Sequence, residues 1–91
     1  IWFSEGVALY FEYKYTNFIY DDEIFDTSNI LWSEMDNIFK NLHEYKAYIL
    51  SFNVILNFVS KYSENELKKI FVSLNKHYTF DFIKNYIDNL K

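Results

Sequence analysis

Cysteine, proline and arginine are absent from the 91 residues, and glycine occurs once, as Gly6. Without cysteine there are no disulfides and no thiolate metal sites, while the compartment stays open. Without proline, and with a single glycine, the usual turn punctuation is missing, so helices have to be read from periodicity and caps. A basic stripe is also lacking. The net charge is -4 and the nine lysines are scattered along the chain, an arrangement that cannot track a phosphate backbone, so no nucleic-acid partner is expected. No run reaches the roughly 18 apolar residues of a membrane span. The longest apolar-rich stretch, Ala47 to Val59, is broken by Ser51, Asn53 and Asn57.

What the sequence has in quantity is aromatic side chains, nine Tyr, ten Phe and two Trp. So many large rings imply either a well-filled core or a surface that docks onto further protein. The length suits one helical unit, 1–91, and is too short for two cores. The chain opens on Ile1-Trp2-Phe3, without an initiator Met or a polar lead-in, and is read as a fragment of a larger domain.

Spacing predicts an all-α fold of about five helices. The first runs from about Phe3 to Tyr15. Asn17 to Asn29, containing Tyr20-Asp21-Asp22-Glu23 and Asp26-Thr27-Ser28-Asn29, has neither helical nor alternating periodicity and is read as a loop. Ser28 or Asn29 is placed to cap a second helix carrying Leu31, Met35, Ile38, Phe39 and Leu42, which ends near Leu42. A third helix, about Glu44 to Tyr62, puts Tyr48, Phe52, Ile55, Leu56, Val59 and Tyr62 on one side and Lys46, Asn53, Asn57, Ser60 and Lys61 on the other, and its long apolar face makes it the expected central helix. Ser63-Glu64-Asn65-Glu66 fits a capping box, opening a fourth helix with Leu67, Ile70, Phe71 and Leu74 as its buried stripe. The acids of Glu64-Asn65-Glu66-Leu67-Lys68-Lys69 read as a solvated helix start that favours the positive dipole end. After a turn at Asn75-Lys76-His77-Tyr78, Thr79 caps a fifth helix bearing Phe82, Ile83, Tyr86, Ile87 and Leu90.

The stretch from Trp2 to Tyr13 carries the chemical information. At 100° per residue Glu5 and Glu12 lie within about 20° of each other, with Phe3, Val7 and Tyr10 on the opposite side. Nearly every other position is apolar, so the helix is expected to be wrapped in protein on all sides. Carboxylates on such an element need a metal, a cationic side chain or a proton as partner. Gly6 costs about 1 kcal/mol relative to Ala inside a helix, which a close approach by another helix would explain, and Ala8 keeps the same side slim.

Trp2-Phe3-Ser4-Glu5-Gly6-Val7-Ala8-Leu9-Tyr10 resembles the W-x-x-E-G-x-A-x-Y segment of the gluzincin, or peptidase MA-like, zinc metallopeptidases. Tyr48-Ile49-Leu50-Ser51-Phe52, then Lys61-Tyr62, Leu67, Ile70-Phe71 and Leu74, then Thr79-Phe80, are similar to helices downstream of that segment in the family. Ser63 stands where the family commonly has glycine. The resemblance implies a zincin-like metallopeptidase whose helical C-terminal part this chain would be. Glu5 would be the third zinc ligand, and the other two ligands and the catalytic glutamate would come from an upstream H-E-x-x-H helix on the rest of the parent chain. Peptide or protein would be the substrate, hydrolysed by zinc-activated water.

Several residues carry two readings at this stage. Glu5 is a zinc ligand or half of a structural ion pair. Glu12 is a second-shell acceptor for a ligand histidine or a rim salt bridge. Tyr48, which shares a helical face with Ser51, is a catalytic phenol able to stabilise an oxyanion or a core aromatic. His43-Glu44-Tyr45-Lys46-Ala47 cannot be the zinc motif, because Ala47 stands where its second histidine would be. His77 is read as a solvated turn residue. The chain thus offers one ligand of three, and tight zinc binding by it alone is not expected. A second class of function stands beside this one, a non-catalytic helical interaction or scaffold module.

Overall fold

The computed structural model describes residues 2–16, 27, 29–76 and 79–90. It is all-helical, with α1 (Trp2–Thr16), α2 (Trp32–Asn41), α3 (Glu44–Lys61), α4 (Glu64–Lys76) and α5 (Phe80–Asn89), and no strand among the described residues. The helix boundaries lie within a residue or two of those the periodicity predicts, apart from the start of α2. Most of the predicted loop from Asn17 to Asn29, and the turn at His77, lie outside the described residues. None of the helices described is long and apolar enough to cross a membrane.

The aromatic load goes largely into the core. Trp2 and Phe3 of α1 meet Trp32 of α2, with ring centroids 5.3 and 5.6 Å away. Trp32 in turn meets Phe58 of α3 at 5.2 Å. Phe3 also reaches Phe71 of α4 at 5.6 Å and Phe80 of α5 at 5.2 Å. All five helices therefore send a ring into one cluster, and the edge-on geometry between Trp2 and Trp32 is the arrangement that ring quadrupoles favour. Fully burying such a side chain contributes about 1.5–3 kcal/mol. The indole N–H of Trp2 is buried there without a partner, a cost accepted for filling the centre.

The third helix is central, packing against α1, α2 and α4. Its buried face overlaps the predicted one only in part. Phe52 and Ile55 are buried, but Tyr48, Leu56, Val59 and Tyr62 are only partly so, while Ala47, Leu50, Ser51, Val54 and Phe58 are covered. The face is rotated by roughly a quarter turn from the expected one. The reason is small-residue packing. A Cβ added to Gly6 would lie 2.5 Å from the Ser51 carbonyl oxygen and 2.8 Å from Ile55 Cγ1, so the α1 backbone rests directly on α3. Ser51, fully buried, turns its hydroxyl back onto the Ala47 carbonyl at 2.9 Å and leaves no orphan group in the seam.

The caps divide into local and long-range ones. Thr79 Oγ1 accepts from the Phe82 N–H at 3.2 Å, as the sequence predicts. Ser63 Oγ accepts from the Glu66 N–H at 3.3 Å, and Ser63 itself has φ 124°, a backbone region that favours glycine. The predicted cap of α2 by Ser28 or Asn29 is corrected. The N-cap is Leu31, which has no side-chain acceptor, and the carboxylate of Asp88, on α5, accepts from the N–H groups of Trp32 (2.6 Å) and Ser33 (3.0 Å) instead. An anion at a helix N-terminus satisfies donors that the helix itself cannot. Lys84, on the same helix and nearly buried, adds an ion pair to Asp36 of α2 at 2.6 Å.

Candidate functional site

The motif of the first helix splits by packing. Trp2, Gly6 and Tyr10 recur every fourth residue and are all buried, together with Phe3 and Val7. Core filling and the close approach to Ser51 account for them. Glu5 and Ala8 are not explained this way. Ala8 is exposed, Glu5 is half-buried, and none of the hydrogen bonds or ion pairs among the described residues involves Glu5. The expectation that α1 is wrapped on all sides is corrected within this chain, since Ser4, Ala8, Glu12 and Tyr15 form an exposed back, Tyr15 being 76% exposed. The slim side expected of Gly6 and Ala8 is two different sides, with Gly6 against α3 and Ala8 facing outward.

Tyr48 and Glu44 lie at the N-terminal end of α3. The Tyr48 hydroxyl donates to Glu44 Oε1 at 3.0 Å, and this bond is the main reason that its pKa is raised; the charge of Glu5 raises it further. The Glu5 charge is the smallest of these influences, after Glu44 and burial, and no hydrogen bond joins Glu5 to Tyr48 among the described residues. The Tyr48 ring also meets Phe39 of α2 at 5.9 Å, so the side chain is braced on its other face. Ser51, grouped with Tyr48 by helical spacing, is buried in the seam below and is not part of this surface. The Glu44 partner was missed, although an acceptor four residues before a tyrosine on one helix is a local signal. Glu12 is exposed, two turns beyond Glu5 on the same back of α1.

Among the described residues no group of three His, Cys, Asp or Glu is placed to hold a metal ion. Glu5 is therefore tested as a single ligand. A half-buried carboxylate at the edge of an uncovered helix face suits that donor role, and a complete site needs ligands from elsewhere. The His43 side chain does not contribute a second one from a helical motif, since His43 is exposed at the N-cap of α3 and Ala47 is buried.

The solvated start expected for the fourth helix holds for the exposed Asn65, Lys68 and Lys69, while Glu64 is also engaged by another helix. Glu64 Oε1 accepts from the Tyr10 hydroxyl at 3.0 Å and from Lys14 Nζ at 2.5 Å, and its other oxygen lies 3.5 Å from Lys68 Nζ. Lys14 and then Tyr10 hold the Glu64 carboxyl below the usual carboxylate range. Burial first, then Glu64, pushes the Tyr10 phenol up, and the Lys14 ammonium is raised by the same partner. These groups join the second half of α1 to α4 across 50 or more residues of sequence, which local spacing cannot reveal.

Between α4 and α5, at the end of α3, lies an open cavity of about 420 Å³. Ile83 and Ile87 of α5 are buried, but Phe82, Tyr86 and Leu90 are 54%, 58% and 45% exposed and line this groove with Tyr62 and Ile70. The apolar positions of α5 thus serve two surfaces. Compared with protein-family models, with curated proteins and with solved structures, the chain finds no match in any of the three.

Proposed function

We propose that this chain is the helical C-terminal part of a zinc-dependent, gluzincin-like metallopeptidase and that it supplies Glu5 as the third zinc ligand. The observation that carries the reading is the split of the opening motif. Packing accounts for Trp2, Gly6 and Tyr10, whereas the half-buried Glu5 lies beside the exposed Ala8 at the edge of the uncovered side of α1, which also bears Glu12. A helix with an apolar all-round sequence and one open face suits a further element laid against that face. In the proposal that element is the H-E-x-x-H helix of the parent chain. Zinc, when bound, would supply activation of water for attack on a peptide carbonyl.

The roles of this chain's own residues follow from their positions. Glu5 donates a carboxylate oxygen. The Gly6 contact with Ser51 fixes the rotation of α1 on α3 and so the direction of Glu5. Tyr48, whose one hydroxyl hydrogen is donated to Glu44, would have to turn it from that carboxylate to a substrate carbonyl in order to stabilise negative charge developing there. Glu12 would accept a hydrogen bond from a ligand histidine of that helix and so orient its ring. In the parent protein, Glu5→Ala is expected to abolish stoichiometric zinc, read by metal analysis, together with peptidase activity. Retention of one zinc per chain by that variant sinks the proposal.

The groove between α4 and α5 favours a second reading, a helical interaction or scaffold module without catalysis, because Phe82, Tyr86 and Leu90 present apolar area outward. That reading expects no H-E-x-x-H in the residues upstream of Ile1 and no zinc in the parent.

A further inference from the structure

We draw no further inference here: the strongest candidate, the open apolar groove between α4 and α5 lined by Phe82, Tyr86 and Leu90, carries nothing, because nothing in the structure shows what covers it and the unpartnered hydroxyl of Tyr62 on its wall is sealed from solvent.

Discussion

The seam between α1 and α3 and the attachment of α5 are built on opposite principles. At the seam, a glycine lets one backbone rest on another, and the buried Ser51 hydroxyl is satisfied within its own helix. α5 sends Ile83 and Ile87 inward, but polar contacts also register it on α2: Asp88 on two backbone N–H groups, and Lys84 on Asp36. Its other apolar residues face the groove. The difference teaches where rigidity is concentrated. Glu5 is on the element whose rotation is fixed by steric contact, while the exposed apolar surface is on the element held partly by charge.

The sharpest way to break this comparison is to place a methyl group in the seam. Gly6→Ala gains about 1 kcal/mol of helix propensity. Its Cβ would nevertheless sit 2.5 Å from a backbone oxygen, which cannot rotate aside as a side chain can. Overpacking of this kind typically costs about 1–3 kcal/mol. A net loss of up to about 2 kcal/mol is expected in urea unfolding, because the clash is with backbone. A variant as stable as the parent would mean that the helices slide apart freely and that the seam fixes nothing.

The matching test on α5 removes its carboxylate. Asp88→Ala strips α2 of the acceptor for Trp32 and Ser33, a loss of about 1–2 kcal/mol by the usual worth of an N-cap. Amide hydrogen exchange at Trp32 and Ser33 should accelerate more than exchange in α3. If stability and exchange are unchanged, the Asp88 carboxylate does not help to hold α5 on α2, and the contrast with the seam weakens.

These two sites also show what could be read beforehand. Five helices were legible because apolar residues recur at three and four, and the Thr79 cap because donor and acceptor lie three residues apart. Asp88 was not legible as a cap, since 56 residues separate it from Trp32 and nothing local marks an acid on one helix as the partner of another. The face of α3 was misjudged in part, for a different reason. Ala47 and Ser51 carry little hydrophobicity, yet close backbone approach selects small residues, so weighting by apolar size points partly to the wrong side. Glu5 stood out because a carboxylate in an apolar helix requires explanation. That Tyr10 belongs with Glu64, and Trp2 with Trp32 and Phe80, is tertiary information.

The joint between α3 and α4 offers a smaller effect of opposite sign. Ser63 adopts φ 124°, and a non-glycine residue in such a region typically carries strain of about 1–3 kcal/mol. Ser63→Gly relieves it and gives up the bond to the Glu66 N–H, worth only a few tenths relative to glycine. A gain of about 1 kcal/mol in unfolding free energy is expected. A loss would show that the cap matters more than the backbone at this turn, and that the glycine common in the resembling family is not demanded here by conformation.

The smallest effect concerns the tie between α1 and α4, which belongs to neither class of contact. Lys14 and Tyr10 lower the Glu64 pKa, so the folded state favours the carboxylate more than the unfolded chain does. For a depressed acid the contribution is fully present above the unfolded value of about 4.3 and is lost as pH falls through the lower folded value. Tyr10 and Lys14 have raised pKa values, and their part is instead present below their unfolded values and lost as pH rises through the folded ones. Glu64 and Lys14 are partly open to solvent, which screens the pair. Glu64→Gln should therefore lower stability slightly at pH 7, and the gap to the parent should close as the pH is taken down to about 3. High salt should narrow the gap at pH 7 as well. The absence of any gap at pH 7 would assign the tie to the Tyr10 hydrogen bond, which an amide oxygen can still accept, and would place the second half of α1 among the parts held by geometry.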